Sequence, residues 1–205
     1  MNELTPTQHT GKAVDAKSTK DLLTPEDAKL FYINVREKLR SVKQWAEISG
    51  MASFQLTDSQ GREIDDRAPV KGDHIKISTP GPGNAAGGGF DWVRVEEIEF
   101  NEAEDSEEFA FRVRPAHNPV KGDGETAHFY SSDATSSFVV KRTGTVVSAE
   151  VHDRNTKTND ESTSPVDILR NAVTGVMGLL AFSKIQWQRL TDGLLADSNI
   201  QNPNT

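Results

Sequence analysis

At 205 residues the chain has room for one ordinary domain around one hydrophobic core. Its 31 acidic against 23 basic residues leave a net charge of -8, a field that repels nucleic-acid backbones and anionic lipid headgroups, so neither nucleic acid nor membrane insertion is expected. The absence of cysteine excludes a disulfide framework and thiolate metal ligation, which leaves stability to packing.

Residues 1–22 are polar, turn-rich and without evident periodicity, and read as a disordered lead that tolerates deletion. They lack an apolar signal-peptide core, and no stretch reaches the ~18 consecutive apolar residues of a membrane span, so a cytoplasmic protein is expected. Thr24-Pro25-Glu26-Asp27 then offers a capping hydroxyl, a proline at the first helical position and early acids, which together start a helix. Ala28, Phe31, Val35, Leu39, Val42, Trp45 and Ile48 follow at helical spacing, and the helix is expected to end near Ser49-Gly50. Arg36, Lys38, Arg40 and Lys43 face mostly outward as a solvated face.

From Met51 the period changes to two. Ala52, Phe54 and Leu56 alternate with polar residues ahead of an Asp58-Ser59-Gln60-Gly61 turn. HIKIST carries a strand on Ile75 and Ile77, and residues 90–100 carry a longer one whose apolar phase slips near Glu96-Glu97, the mark of a bulge. After an acidic loop from Glu102 to Glu108, Phe109, Phe111 and Val113 alternate with Ala110, Arg112 and Arg114 as a half-buried strand. Further strands are expected at 127–131, 135–141 and 145–153, the last two joined by an Arg142-Thr143-Gly144 hairpin loop. Ser164-Pro165-Val166-Asp167 caps a second helix whose wide apolar stripe is interrupted only by Gly175 and Gly178, small residues that would admit a close neighbour.

The pattern predicts an α+β fold. A curved antiparallel sheet of about seven strands, an open barrel or helix-grip-like layer, packs on the long C-terminal amphipathic helix with the N-terminal helix beside it. The domain is expected over 23–197, with a disordered tail over 198–205. This order of elements resembles the helix-grip architecture of the START and plant pollen-allergen superfamily. That resemblance implies an apolar ligand cavity between sheet and helix. The superfamily opens on a strand followed by two short helices, and the sequence reading contains neither.

The glycine-rich run from Thr79 to Gly89 is not a phosphate cradle, because it leads into a strand, not a helix N-terminus, and no GK[ST] is present. Pro80, Gly81, Pro82, Gly83, Gly87, Gly88 and Gly89 read instead as a lid over a cavity mouth, or as a plain surface loop. His9, His74, His117, His128 and His152 show no metal-ligand spacing, and no metal or cofactor is expected. On the strand from 145, Val146, Ser148, Glu150, His152 and Arg154 point one way and Val147, Ala149, Val151 and Asp153 the other. Which way is inward stays open. VHDRN, at 151–155, is the densest cluster of useful side chains, with Asp153 able to orient a histidine, and no nucleophile accompanies it.

Binding of a small, mainly apolar ligand is the leading expectation. Arg112, Arg114, His128, Tyr130, Glu150, His152, Trp92 and Trp187 are its candidate contacts. One alternative is an interaction or assembly subunit without a cavity, with which a homo-oligomer is compatible. Another is a cofactor-free cyclase or hydrolase with His128 or His152 as general base, which requires a histidine and a carboxylate in hydrogen-bond reach inside a pocket.

Overall fold

Local alternation builds most of the molecule. The structure is a computed structural model that describes residues 4–79, 84–122, 124–159 and 165–196, with the backbone alone at 165–177 and 179. In chain order it runs β1 (Lys12–Asp21), α1 (Pro25–Arg40), α2 (Trp45–Ser49), β2 (Ser53–Thr57), β3 (His74–Ser78), β4 (Asp91–Ala103), β5 (Ser106–Pro115), β6 (Thr135–Thr143), β7 (Val146–Thr156) and α3 (Pro165–Leu195). The seven strands form one open antiparallel sheet in the order β1-β7-β6-β5-β4-β3-β2. The α+β class and the sheet-on-helix layout are those the sequence implies. Among the described residues no helix is long and apolar enough to cross a membrane.

One face of the sheet carries the core. Val95 of β4, Phe109, Phe111 and Val113 of β5, Phe138 and Val140 of β6, and Val147, Ala149 and Val151 of β7 share it, each two residues from the next on its strand. α1 and α3 supply the other side through Ala28, Tyr32, Val35, Leu39, Trp187, Leu190 and Leu194. Trp45 sits at the centre, 5.4 Å from the Phe54 ring and 4.8 Å from the Phe138 ring. The register of β4 on β5 shifts between Val95 and Glu97, the bulge anticipated from the phase slip.

The lead reading of residues 1–22 is corrected. Residues 12–21 form β1, paired with β7 from Lys12 opposite Thr156 to Asp21 opposite Val146. Its inward residues Val14, Ala16 and Ser18 are small or polar, so the alternation is faint in the sequence. Leu4 is 1% exposed and packs on Ala110 and Val139, on the face of the sheet away from the helices. The N-terminal helix is also not continuous. Thr24 Oγ1 accepts from Asp27 N at 3.1 Å as foreseen, but the helix breaks at Ser41, and the freed Leu39 carbonyl accepts the Trp45 Nε1 proton at 3.0 Å. The break lets Trp45 turn into the core, and on α1 it is Tyr32, not Phe31, that is fully buried.

The other corrections are local. β4 and β5 run almost to their turn, so the expected acidic loop shrinks to Glu104-Asp105. The expected strand at 127–131 is an irregular segment that exchanges hydrogen bonds with Trp92 and Ala116 and forms a single bridge from Tyr130 to Thr158. All of its residues from Ala127 to Ser131 are buried. The cap at Ser164 and the expected tail at 198–205 lie outside the described residues.

α3 is fixed at its C-terminal end, where Lys38 Nζ donates to the Leu194 and Ala196 carbonyls at 3.3 and 2.9 Å. The close neighbour expected at Gly175 and Gly178 is met at neither among the described side chains but at Gly193, which the sequence reading does not single out: a Cβ there would stand 2.5 Å from Ile48 Cγ2 and 3.1 Å from the Ile48 carbonyl oxygen. Gly178 meets nothing within 4 Å among the described residues. Gly193→Ala is therefore expected to lower stability by about 1–2 kcal/mol through overpacking between α2 and α3, read as a lower urea midpoint at unchanged slope. An unchanged midpoint would show that α2 yields without cost.

Candidate functional site

Between the core face of the sheet and α3 lies a cavity of about 40 Å³. Phe54, Ile75, Ile77, Val93, Val113, Phe138 and Trp187 make its apolar wall, and His128, Phe129 and Tyr130 of the irregular segment close one side. That volume holds a few water molecules. Set into the wall are Asp153, Ser136, Ser183 and Gln186.

The parity of β7 delivers Asp153 there. Residues 147, 149 and 151 are apolar and buried, and the next residue on that face is a carboxylate only 1% exposed. One of its oxygens accepts from Ser136 Oγ at 2.6 Å and the other from Trp187 Nε1 at 2.8 Å. Burial pushes the Asp153 carboxyl up to about 6, against the pull of those two hydrogen bonds. The Tyr130 hydroxyl meets Ser183 Oγ at 3.1 Å, and burial, aided by the Asp153 charge, raises the phenol. His128 Nδ1 accepts from the Tyr130 backbone N–H at 2.9 Å, which leaves Nε2 to carry the proton in the neutral ring. Gln186 is 4% exposed, and its Oε1 has no hydrogen-bond partner among the described residues.

The structure divides the residues singled out in the sequence. His128, Tyr130 and Trp187 line the cavity. Arg112, Arg114, Glu150 and His152 do not, because strand parity sends them to the opposite face of the sheet. There Arg112 Nε and Arg114 Nε both bind the Glu96 carboxylate, at 2.9 and 2.5 Å. Burial alone would raise Glu96, but hydrogen bonds from Arg114 and Arg112 outweigh it and hold the carboxyl below its usual range. Arg112 also donates to the Leu4 carbonyl at 3.0 Å.

Trp92 is buried under the glycine-rich turn, where its Nε1 donates to the Gly87 carbonyl at 3.0 Å. Asn118 Nδ2 joins it at 3.1 Å. A Cβ on Gly87 would lie 1.8 Å from the Phe90 carbonyl oxygen, so the turn tolerates only glycine there. Gly87, Gly88 and Gly89 do not border the cavity, whereas Thr79, where the run begins, does. Pro80, Gly81, Pro82 and Gly83 lie outside the described residues.

His152 is bracketed by Asp15 at 2.6 Å and Glu150 at 3.1 Å on the open face, where the Asp15 side chain is 55% exposed. This is the histidine–carboxylate contact that base catalysis asks for; it lies across the sheet from the cavity, where His152 and Glu150 line a separate open depression of about 590 Å³. The hydrogen bond to Glu150 is the chief cause that raises the His152 pKa, with Asp15 adding to it. A raised histidine stabilises the fold fully below its unfolded value of 6.5 and loses that contribution as pH rises through the folded value. His152→Gln is thus expected to flatten the decline in stability above pH ~6.5, seen in urea titrations across neutral pH. An identical decline in the variant would remove His152 as its source.

Ser136, Ser183 and Gln186 of the wall are not singled out by the sequence, and Asp153 is singled out there only as the partner of a histidine. A carboxylate in register with Val147, Ala149 and Val151 was the available signal. Asp153 does not orient His152, which points to the other face.

No family model matches the sequence. No curated protein matches it either. Among solved structures, the chain is similar to a hypothetical protein from Helicobacter pylori, at 14% identity and TM-score 0.48, with 91% of this chain and 87% of that one covered. It is also similar to a START superfamily protein from Mycobacterium smegmatis, at 9% identity and TM-score 0.34 over 88% of this chain and 100% of that one. A truncated norcoclaurine synthase from Thalictrum flavum gives 9% identity and TM-score 0.36 over 93% and 96%. None of these likenesses is close enough to carry a function.

Proposed function

We propose that the chain binds a small, mainly apolar ligand between the sheet and α3. The observation that carries this reading is the cavity itself, an aromatic and aliphatic wall interrupted by a few placed polar groups, Asp153 and Gln186 foremost. Binding pockets have this composition, and a core built for stability alone has little use for a buried carboxylate. Pockets that enclose drug-sized molecules measure roughly 300 Å³ or more, so a ligand of that size requires Trp187 or Phe129 to swing aside from the 40 Å³ resting volume.

Native mass spectrometry of protein purified from its own host, compared with the same preparation denatured, tests the reading. A copurifying small molecule that is lost on denaturation is expected. Ethylbenzene, a small neutral arene, serves as a second probe and is expected to bind saturably by calorimetry. A bare polypeptide mass together with no saturable ethylbenzene binding would overturn the proposal.

A further inference from the structure

We infer that the ligand of this cavity carries a protonated amine that pairs with Asp153, which makes the class a small amine with an aromatic or aliphatic body. The inference rests on the binding reading above and narrows it by the balance of donors and acceptors in the wall. An ionised carboxylate has about four acceptor positions, and Ser136 and Trp187 fill two of them. Gln186 adds a second acceptor, Oε1, buried and without a partner among the described residues. The indole N–H and the Ser136 hydroxyl are already spent on Asp153. The open capacity of Asp153 and Gln186 Oε1 is thus for donors, and an ammonium group brings three.

Charge points the same way. No lysine or arginine is among the described residues of the cavity wall. Arg154, next in sequence to Asp153, turns to the other face, where its Nη2 meets Asp15 at 2.7 Å. A neutral hydrocarbon would leave the buried carboxylate uncompensated, and an anion would confront it directly. A cation supplies the missing partner, and the rings of Phe54, Phe138 and Trp187 around it favour both a positive charge and an aromatic body.

Three matched probes decide the matter: benzylamine, ethylbenzene and phenylacetate, titrated by calorimetry at neutral pH into the full-length protein and into Asp153→Asn and Gln186→Met, each checked for a cooperative melt. Benzylamine is expected to bind the wild type on the order of tenfold or more tighter than ethylbenzene. Asp153→Asn should erase that preference and leave ethylbenzene affinity in place, and Gln186→Met should lower benzylamine affinity alone. Should Asp153→Asn not fold, the wild-type ranking and Gln186→Met still decide. Equal binding of ethylbenzene and benzylamine would overturn the amine and leave the apolar cavity standing. Preference for phenylacetate would also overturn it, with Asp153 then a protonated donor. Binding of no probe would overturn both readings.

Discussion

Deletion of residues 1–22 is expected to abolish cooperative folding. Among the described residues β1 is the only neighbour of β7 on that side of the sheet, and its ladder runs from Lys12 to Asp21. Val14 and Ala16 complete the core there. Ser18 Oγ donates to Thr191 Oγ1 of α3 at 2.9 Å, and Gln188 Nε2 donates to Ser18 Oγ at 3.1 Å, so the strand also seats the C-terminal helix. Ahead of it, Asn155 Oδ1 accepts from the backbone N–H groups of His9 and Thr10 at 2.8 and 3.1 Å. The truncation strips all of this at once from a fold whose net stability is of order 5–15 kcal/mol. Far-UV circular dichroism melts and amide dispersion in NMR spectra provide the check. A truncated chain that melts like the full one would show that β1 is dispensable.

Asp153→Asn is expected to do the reverse, raising stability at neutral pH by about 2–3 kcal/mol. The Asp153 carboxyl titrates at about 6 when folded against 3.8 when unfolded. A group raised in this way favours the fold below its unfolded value, and that contribution is lost as pH rises through the folded one. Wild type therefore loses stability between pH ~4 and ~7 on account of Asp153, and asparagine, neutral throughout, does not. The amide also fits the site: its oxygen can accept from Trp187 Nε1 while its nitrogen donates to Ser136 Oγ. Near pH 4 the two proteins should melt together, and above pH 7 the variant should melt about 5–10 °C higher. Parallel profiles across that range would mean that Asp153 is already compensated in the folded chain. The deficit fits a residue kept for what it binds, because a purely structural position would do better with the amide.

Much of this architecture was legible because its signals are local. Phe109, Phe111 and Val113 declare a strand within five residues, the Thr24-Pro25 cap declares a helix start within four, and the phase slip at Glu96 declares its bulge. What escaped depends on distant partners. Of the inward residues of β1 only Val14 and Ala16 are apolar, and its stability comes from β7 and α3, more than a hundred residues away. The break at Ser41 follows from the demand of Trp45 for the core and of the Leu39 carbonyl for a donor, neither visible in an unbroken apolar stripe. At the site, alternation separated the two faces of β7 correctly but could not say which was inward. Arg112, Arg114, Glu150 and His152, four of the eight candidate contacts, therefore lie on the face away from the cavity, while Asp153, in the cavity wall, is read from the sequence only as the partner of a histidine.

An open sheet has two raw edges, and unpaired strand edges recruit further strands from neighbouring copies. Here each edge is blunted by its own device. On β2 the chain doubles back after the Asp58 turn, so that Ile64 N donates to the Leu56 carbonyl at 2.8 Å and Glu63 bridges Thr57. The outer rim of that strand is thus partly occupied by its own connection. On β1 the sequence KAVDAKSTKD sets Lys12, Lys17 and Lys20 among Asp15 and Asp21, charges that an incoming strand would have to desolvate. The chain forgoes a closed barrel, leaves room for α3 and a cavity beneath it, and still blunts both edges against strands from neighbouring copies.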